Sequence, residues 1–169
     1  LIVALLRGAF EYQGQKCSAA SRAYIPASVW GRIAEPLAEE ISKIKMGDAG
    51  DFTNFMTAVI DQRAFDKITG YIDRARERDT CEVFVGGGSD DDIGWFVEPT
   101  IIVTEDSRSE TMVDEIFGPV LTVNVYDDHK FMNILETCDT GSPYALTGSI
   151  FASNEEHVDI ALKRLRFSA

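Results

Sequence analysis

Cysteine, histidine and positive charge are all scarce in this sequence. Its 169 residues include three cysteines, Cys17, Cys81 and Cys138, and two histidines, His129 and His157. An odd and sparse cysteine set argues against a disulfide framework and for a reducing compartment. The cysteines and histidines show no paired ligand spacing, so no metal site is expected. Lysine and arginine number 16 against 28 aspartates and glutamates, a formal charge of −12. Such a chain has no sequence-independent attraction to nucleic acid or to an anionic membrane surface, and neither is expected as a partner. No run approaches the roughly 18 apolar residues of a membrane span. Leu1 to Leu6 is apolar but stops at Arg7, with no basic segment before it and no small-residue cleavage site after it. It reads as the exposed edge of a core element, and with no Met at its start the chain is expected to be part of a longer protein.

What is present is ordinary globular material, 45% hydrophobic and 26% charged, enough for a core and too apolar for wholesale disorder. Ser21 to Pro26 reads as a short strand, with Ser28 as the cap of the helix that follows. Ile33, Leu37, Ile41 and Ile44 then recur at helical spacing. Pro36 inside that stripe implies either a kink or two shorter helices. Met46 to Thr57 reads as a loop, Asp61 as a helix cap, and Phe65, Ile68, Ile72 and Ala75 as the buried stripe of that helix. Glu82 to Val85, Phe96 to Val103, Val120 to Tyr126 and Thr147 to Phe151 have strand composition. A helix is expected over Phe131 to Cys138, and another after Asn154, with acids in its first turn and bases at its end. Strands alternating with helices predict an α/β fold, a largely parallel sheet covered by helices on both faces. No repeat or linker divides the chain, so one domain is expected.

Three places could carry chemistry. Cys17 follows a Gly-bearing turn and adjoins Lys16, and a nearby cation raises the thiolate fraction a nucleophile needs. Considered alone, a cysteine is more often a buried, inert thiol. The histidines lie in polar surroundings near helix starts, where solvent holds them, so a Cys–His pair has little support. Asp114-Glu115-Ile116-Phe117-Gly118-Pro119 puts carboxylates and an aromatic ring on a turn before a strand, a place where α/β sheets present ligand groups. The plainer alternative is solvated acids with Phe117 in the core. Gly86-Gly87-Gly88 lacks the following Lys-Ser/Thr of a phosphate loop and precedes Asp90, Asp91 and Asp92, so it is read as a turn and a solvated charge run.

Gly14-Gln15-Lys16-Cys17 together with Glu115-Ile116-Phe117-Gly118-Pro119-Val120, about a hundred residues later, resembles the aldehyde dehydrogenase superfamily in content and order. Leu146-Thr147-Gly148-Ser149-Ile150-Phe151 is similar to that family's Leu-Thr-Gly strand entry. Phe10 to Ala19, Val59-Ile60-Asp61 and Gly94-Trp95-Phe96-Val97-Glu98-Pro99 narrow the resemblance to its delta-1-pyrroline-5-carboxylate (glutamate-semialdehyde) dehydrogenase branch. The resemblance spans essentially the whole chain and implies oxidation of L-glutamate γ-semialdehyde to glutamate in proline catabolism. It implies Cys17 as nucleophile, its N–H as an oxyanion donor, Ser18 near the substrate carboxylate, and Glu115 and Phe117 at the nicotinamide end of NAD. It also implies that the cofactor domain, the oxyanion asparagine and the water-activating glutamate precede this segment. The substrate-anchoring loop should follow Arg166-Phe167-Ser168-Ala169. Residues 1–169 are therefore expected to be a partial catalytic domain with weak NAD affinity and no activity alone. In the full-length protein a small aldehyde substrate, homo-oligomers and the mitochondrial matrix are implied. An interaction module descended from such an enzyme, or a dehydrogenase of other specificity, stays open on the sequence.

Overall fold

The computed structural model describes residues 1–166, so the family-like ending Phe167-Ser168-Ala169 lies outside the described residues. In chain order the elements are α1 (Ile2–Phe10), β1 (Arg22–Pro26), α2 (Ala27–Ser42), α3 (Gln62–Arg76), β2 (Cys81–Val85) and β3 (Ser89–Asp90). They continue as β4 (Phe96–Val97), β5 (Thr100–Thr104), α4 (Glu110–Val113), β6 (Val120–Tyr126), α5 (Phe131–Thr140) and α6 (Glu155–Arg164). Four strands form the main sheet in the order β1-β6-β5-β2. β1 runs parallel to β6 with Arg22 opposite Thr122, β6 runs parallel to β5, and β2 closes the edge antiparallel to β5. The α/β class and the largely parallel sheet follow the expectation.

Alternation along the strands sends neighbouring side chains to opposite faces, which is how one sheet supports two cores. Ile101, Leu121 and Val123 point to the side covered by α1 and α2, against Leu5, Phe10, Leu37 and Ile41. Ile102 and Val120 point to the other side, against Phe65, Ile68, Ile72 and Ala75 of α3. Asp61 caps α3 by accepting from the Ala64 N–H at 2.8 Å, a bond worth about 1 kcal/mol of helix stability. Asn154 does the same for α6, accepting from the Glu156 N–H. α2 runs unbroken through Pro36. The apolar start forms an amphipathic helix, with Leu5, Ala9 and Phe10 buried and Val3 in solvent.

Four local expectations are corrected. Ser28 is not a cap: α2 begins at Ala27 after Pro26, and Ser28 inside the first turn donates its hydroxyl to Asp128 instead. Phe96 to Val103 is not one strand, because Glu98-Pro99 interrupts it and Pro99 has no N–H to give a ladder. The Gly-rich turn ends in a two-residue strand, Ser89–Asp90, paired with Phe96–Val97. Thr147 to Phe151 has no regular structure, and Leu146 and Phe151 are exposed. Local β composition makes a strand only where a neighbour completes the backbone hydrogen bonds, and no described strand flanks this segment.

Candidate active site

α1 carries the chain down one face of the sheet to Phe10, and a tight turn follows in which Tyr12, Gln13 and Gly14 all take left-handed backbone angles. Among the described residues, the only other non-glycine residue with positive φ is Phe117, at +62°. A side chain in this region costs about 1 kcal/mol or more, and such strain collects where surrounding structure imposes it for function. Here the imposing contact is backbone on backbone. Gly14, at φ +64°, lies so close to the Gly118 carbonyl that any Cβ would collide with it and with the Ala9 carbonyl. Glycine is therefore required at position 14 both for its conformation and for the approach.

This contact joins two motifs about a hundred residues apart in sequence. From it both loops enter the sheet side by side, the Ser21 carbonyl accepting from the Thr122 N–H at 3.0 Å where β1 begins beside β6. The loops thus meet at the amino-terminal edge of two parallel strands. α/β sheets usually bind ligands at the opposite, carboxyl ends, so the general expectation from fold class misplaces the site.

Cys17 and Ser18 are both exposed, on a turn closed by the Ala19 N–H donating to the Lys16 carbonyl at 3.0 Å. The Cys17 N–H has no acceptor among the described residues and faces no internal competitor. Side chains pin the loop from below. The buried Gln13 amide bonds the Thr57 hydroxyl at 3.1 Å, and the Gln15 side-chain oxygen accepts from the Ile60 N–H at 2.9 Å. Lys16, next to the thiol in sequence, is paired with another side chain in space. Its ammonium sits 2.6 Å from Glu11, which Arg7 also contacts at 2.6 Å. The Lys16 hydrogen bond and charge hold the Glu11 carboxyl below its usual range.

In the second motif Ile116 is the core residue, and Phe117 is 39% exposed. The left-handed turn at Phe117 directs its ring outward, which overturns the reading of Phe117 as core. The Glu115 carboxylate is exposed, while its backbone carbonyl accepts from Lys67 Nζ at 2.6 Å. Asp114 is not a solvated acid either: the Tyr71 hydroxyl donates to it at 2.8 Å. The fold thus brings Cys17, Ser18, Glu115 and Phe117 to one edge of the sheet, with every one of them open to solvent. Sequence reasoning missed Gln13, Gln15 and Tyr71. The helical spacing of Lys67, Tyr71 and Arg74 was the only available signal for the last.

The other two thiols differ. Cys81 opens β2 with its sulfur 3.5 Å from the Thr104 hydroxyl, and burial pushes the Cys138 thiol up from its ordinary range. Iodoacetamide at less than one equivalent is therefore expected to label Cys17 about tenfold faster than either, since reactivity follows exposure and thiolate fraction. Peptide mapping reads the result, and labelling led by Cys81 or Cys138 would contradict it.

Two clefts occur elsewhere on the described surface. One of about 360 Å³ lies between Met46-Gly47 and the β3–β4 hairpin, and one of about 580 Å³ lies between Arg108 and α5. Neither contains Cys17 or Glu115. Among the described residues no group of three or more His, Cys, Asp or Glu side chains is placed to hold a metal ion. No helix among them is long and apolar enough to cross a membrane.

A thiol-bearing turn fixed against a Glu-Ile-Phe-Gly-Pro turn at a sheet edge defines a class, and comparison with known proteins agrees. The aldehyde dehydrogenase family model matches residues 1–169, and the chain belongs to that family. It is 52% identical over 164 residues to the mitochondrial delta-1-pyrroline-5-carboxylate dehydrogenase of Dictyostelium discoideum, covering 97% of this chain and 29% of that protein. The mitochondrial enzyme of the same name from Homo sapiens is 46% identical over 165 residues, again 97% of this chain and 29% of that one. Among solved structures, the Mycobacterium tuberculosis delta-pyrroline-5-carboxylate dehydrogenase bound with NAD superposes with a TM-score of 0.90 at 47% identity, covering 99% of this chain and 30% of that one. The chain spans about 30% of the length of the curated relatives it matches.

Proposed function

We propose that this chain is the thiol-bearing portion of the catalytic domain of a longer NAD-dependent dehydrogenase. Its substrate is L-glutamate γ-semialdehyde, the open form of 1-pyrroline-5-carboxylate, and its product is L-glutamate, in the breakdown of proline. The observation that carries this reading is the Gly14–Gly118 contact, which sets the Cys17 turn beside the Glu115–Phe117 turn. The relatives named above support the substrate, and their mitochondrial labels support the matrix as its compartment.

In this reading the Cys17 thiolate attacks the aldehyde carbon. A C–S bond forms and the carbonyl electron pair moves onto oxygen, where the free Cys17 N–H can donate to the developing charge. Ser18, next along the exposed turn, meets the far end of the substrate, which carries the carboxylate. NAD, when bound, supplies the acceptor for the hydride that leaves the thiohemiacetal carbon. The residues present fit one edge of such a cofactor: the exposed Glu115 carboxylate can accept from ribose hydroxyls, and the outward Phe117 ring offers an apolar face for the nicotinamide end. Hydrolysis of the Cys17 thioester by water releases the acid and restores the thiol.

The test is NADH formation by the longer polypeptide with glutamate γ-semialdehyde and with propanal, which lacks the amino-acid end. A semialdehyde preference in kcat/KM of about 100-fold or more is expected, because a site with polar groups for the substrate leaves them unpaired with the analogue. Equal use of both, or oxidation of propanal alone, would overturn the substrate assignment.

A further inference from the structure

We propose that Tyr71 and Asp114 form a tether that positions the Glu115–Phe117 turn, an inference that rests on the cofactor-facing reading of Glu115 given above. The turn has little to hold it locally. α4 is only four residues long, and the chain leaves it extended at Asp114, with φ −84° and ψ 150°. Helices this short are not stable by themselves. Glu115 is exposed, so its position is set by the residues on either side of it. On one side Ile116 is buried in the core beside Ile68 of α3. On the other side the Ser142 hydroxyl holds the Val113 carbonyl at 2.6 Å, and the residue next to Glu115 is anchored through its side chain: the Asp114 carboxylate accepts from the Tyr71 hydroxyl at 2.8 Å across 43 residues of sequence.

Tyr71 is itself well placed to act as a fixed post. It packs against the α3 core, and the Arg74 guanidinium lies over its ring, 4.6 Å from the centroid. Arg74 also pairs with Glu110 at the start of α4 at 3.1 Å, and Arg78 meets the same carboxylate at 3.1 Å. Arg74 therefore supports the tether twice, through the Tyr71 ring and through the other end of α4. Burial and the Asp114 bond push the Tyr71 phenol up to about 12, so it stays a proton donor through the neutral range. Lys67 completes the α3 face by donating to the Glu115 carbonyl. Neither Tyr71 nor Asp114 touches reactants in this reading. They set where Glu115 points, and a misdirected carboxylate binds the cofactor less well while leaving the thiol chemistry intact.

The test compares Tyr71→Phe, Asp114→Ala, their double variant, Asp114→Asn and Glu115→Gln in the longer polypeptide. Tyr71→Phe and Asp114→Ala should each raise the KM for NAD about three- to tenfold, the size of a typical net hydrogen-bond contribution, with the aldehyde KM within about twofold. The double variant should be no worse than either single, and Asp114→Asn, whose amide oxygen still accepts from Tyr71, should restore near wild-type behaviour. The Cys17 alkylation rate should not move. Amide exchange at residues 115–118 should be faster in the Tyr71→Phe protein by about tenfold, a direct reading of a loosened turn.

The possible failures separate. If Glu115→Gln raises the NAD KM while the tether variants do not, or if exchange at 115–118 is unchanged, the tether is wrong and the cofactor reading survives. If Glu115→Gln leaves NAD kinetics untouched, the cofactor reading fails and the tether falls with it. Parallel losses in NAD KM, aldehyde KM and Cys17 alkylation would mean general destabilisation, and would also overturn the positioning role.

Discussion

Cys17→Ala in the longer polypeptide is expected to lower NAD-dependent oxidation of glutamate γ-semialdehyde by roughly 10⁴-fold or more, because covalent capture is the step on which the rest depends. The size of the effect follows from chemistry and its selectivity from structure. Alanine lacks the sulfur whose electron pair bonds the aldehyde carbon, and Ser18 beside it is a poor nucleophile at neutral pH unless a base activates it. The fold should tolerate the change. Cys17 is exposed, so removing its sulfur opens no cavity, and the loop is held by Gly14 against Gly118 and by Gln13 and Gln15. Cofactor affinity should persist as well, since Glu115 and Phe117 sit on a different loop. NADH formation, thermal melting and NAD titration check all three parts. Turnover within about tenfold of wild type would remove Cys17 from its role.

The second large effect concerns residues 1–169 alone, which should form no detectable NADH from the semialdehyde even at high protein concentration. All four assigned side chains, Cys17, Ser18, Glu115 and Phe117, are open to water, whereas hydride transfer needs a site that excludes bulk solvent. The two clefts described above lie away from Cys17 and Glu115 and do not enclose them. In the proposed mechanism the Cys17 N–H supplies one oxyanion donor, and lacking a second costs on the order of 100- to 1000-fold in rate. Lacking a general base for the hydrolytic water costs roughly a further 100- to 10,000-fold. These factors need not multiply, since groups acting on one intermediate are coupled. Either leaves turnover near background without a cofactor held in place. The longer polypeptide, assayed beside the chain, is the positive control, and robust turnover by residues 1–169 would show that they contain a complete site.

Much of the fold was legible because its elements are specified locally. The α3 stripe of Phe65, Ile68, Ile72 and Ala75 is an uninterrupted helical period, Asp61 and Asn154 have the side chains that cap helices, and Val120 to Tyr126 is a buried parallel strand by composition alone. Where the local signal was real but its completion was not local, the reading failed. Thr147 to Phe151 has strand composition and no described strand beside it. Ser28 has a capping side chain, but Pro26 precedes it and Asp128, a hundred residues away, takes its hydroxyl. Lys16 adjoins Cys17 in sequence, yet Glu11 is its partner in space.

By itself the sequence determined the α/β class, the helices with their buried faces, the strongly negative net charge, and two motifs whose order matched a single family. These rest on hydrophobic period, capping chemistry and net charge, which act over one or two turns of chain or on the whole molecule at once. Only the tertiary structure decided that the two motifs meet, that they meet at the amino-terminal edge of β1 and β6, that Ile116 and not Phe117 enters the core, and that Tyr71 holds Asp114. Each of those depends on a contact between residues about forty to a hundred positions apart, such as the Gly14 backbone against the Gly118 carbonyl. A contact of that kind leaves no local signal, because its two partners are brought together by the packing of the sheet between them.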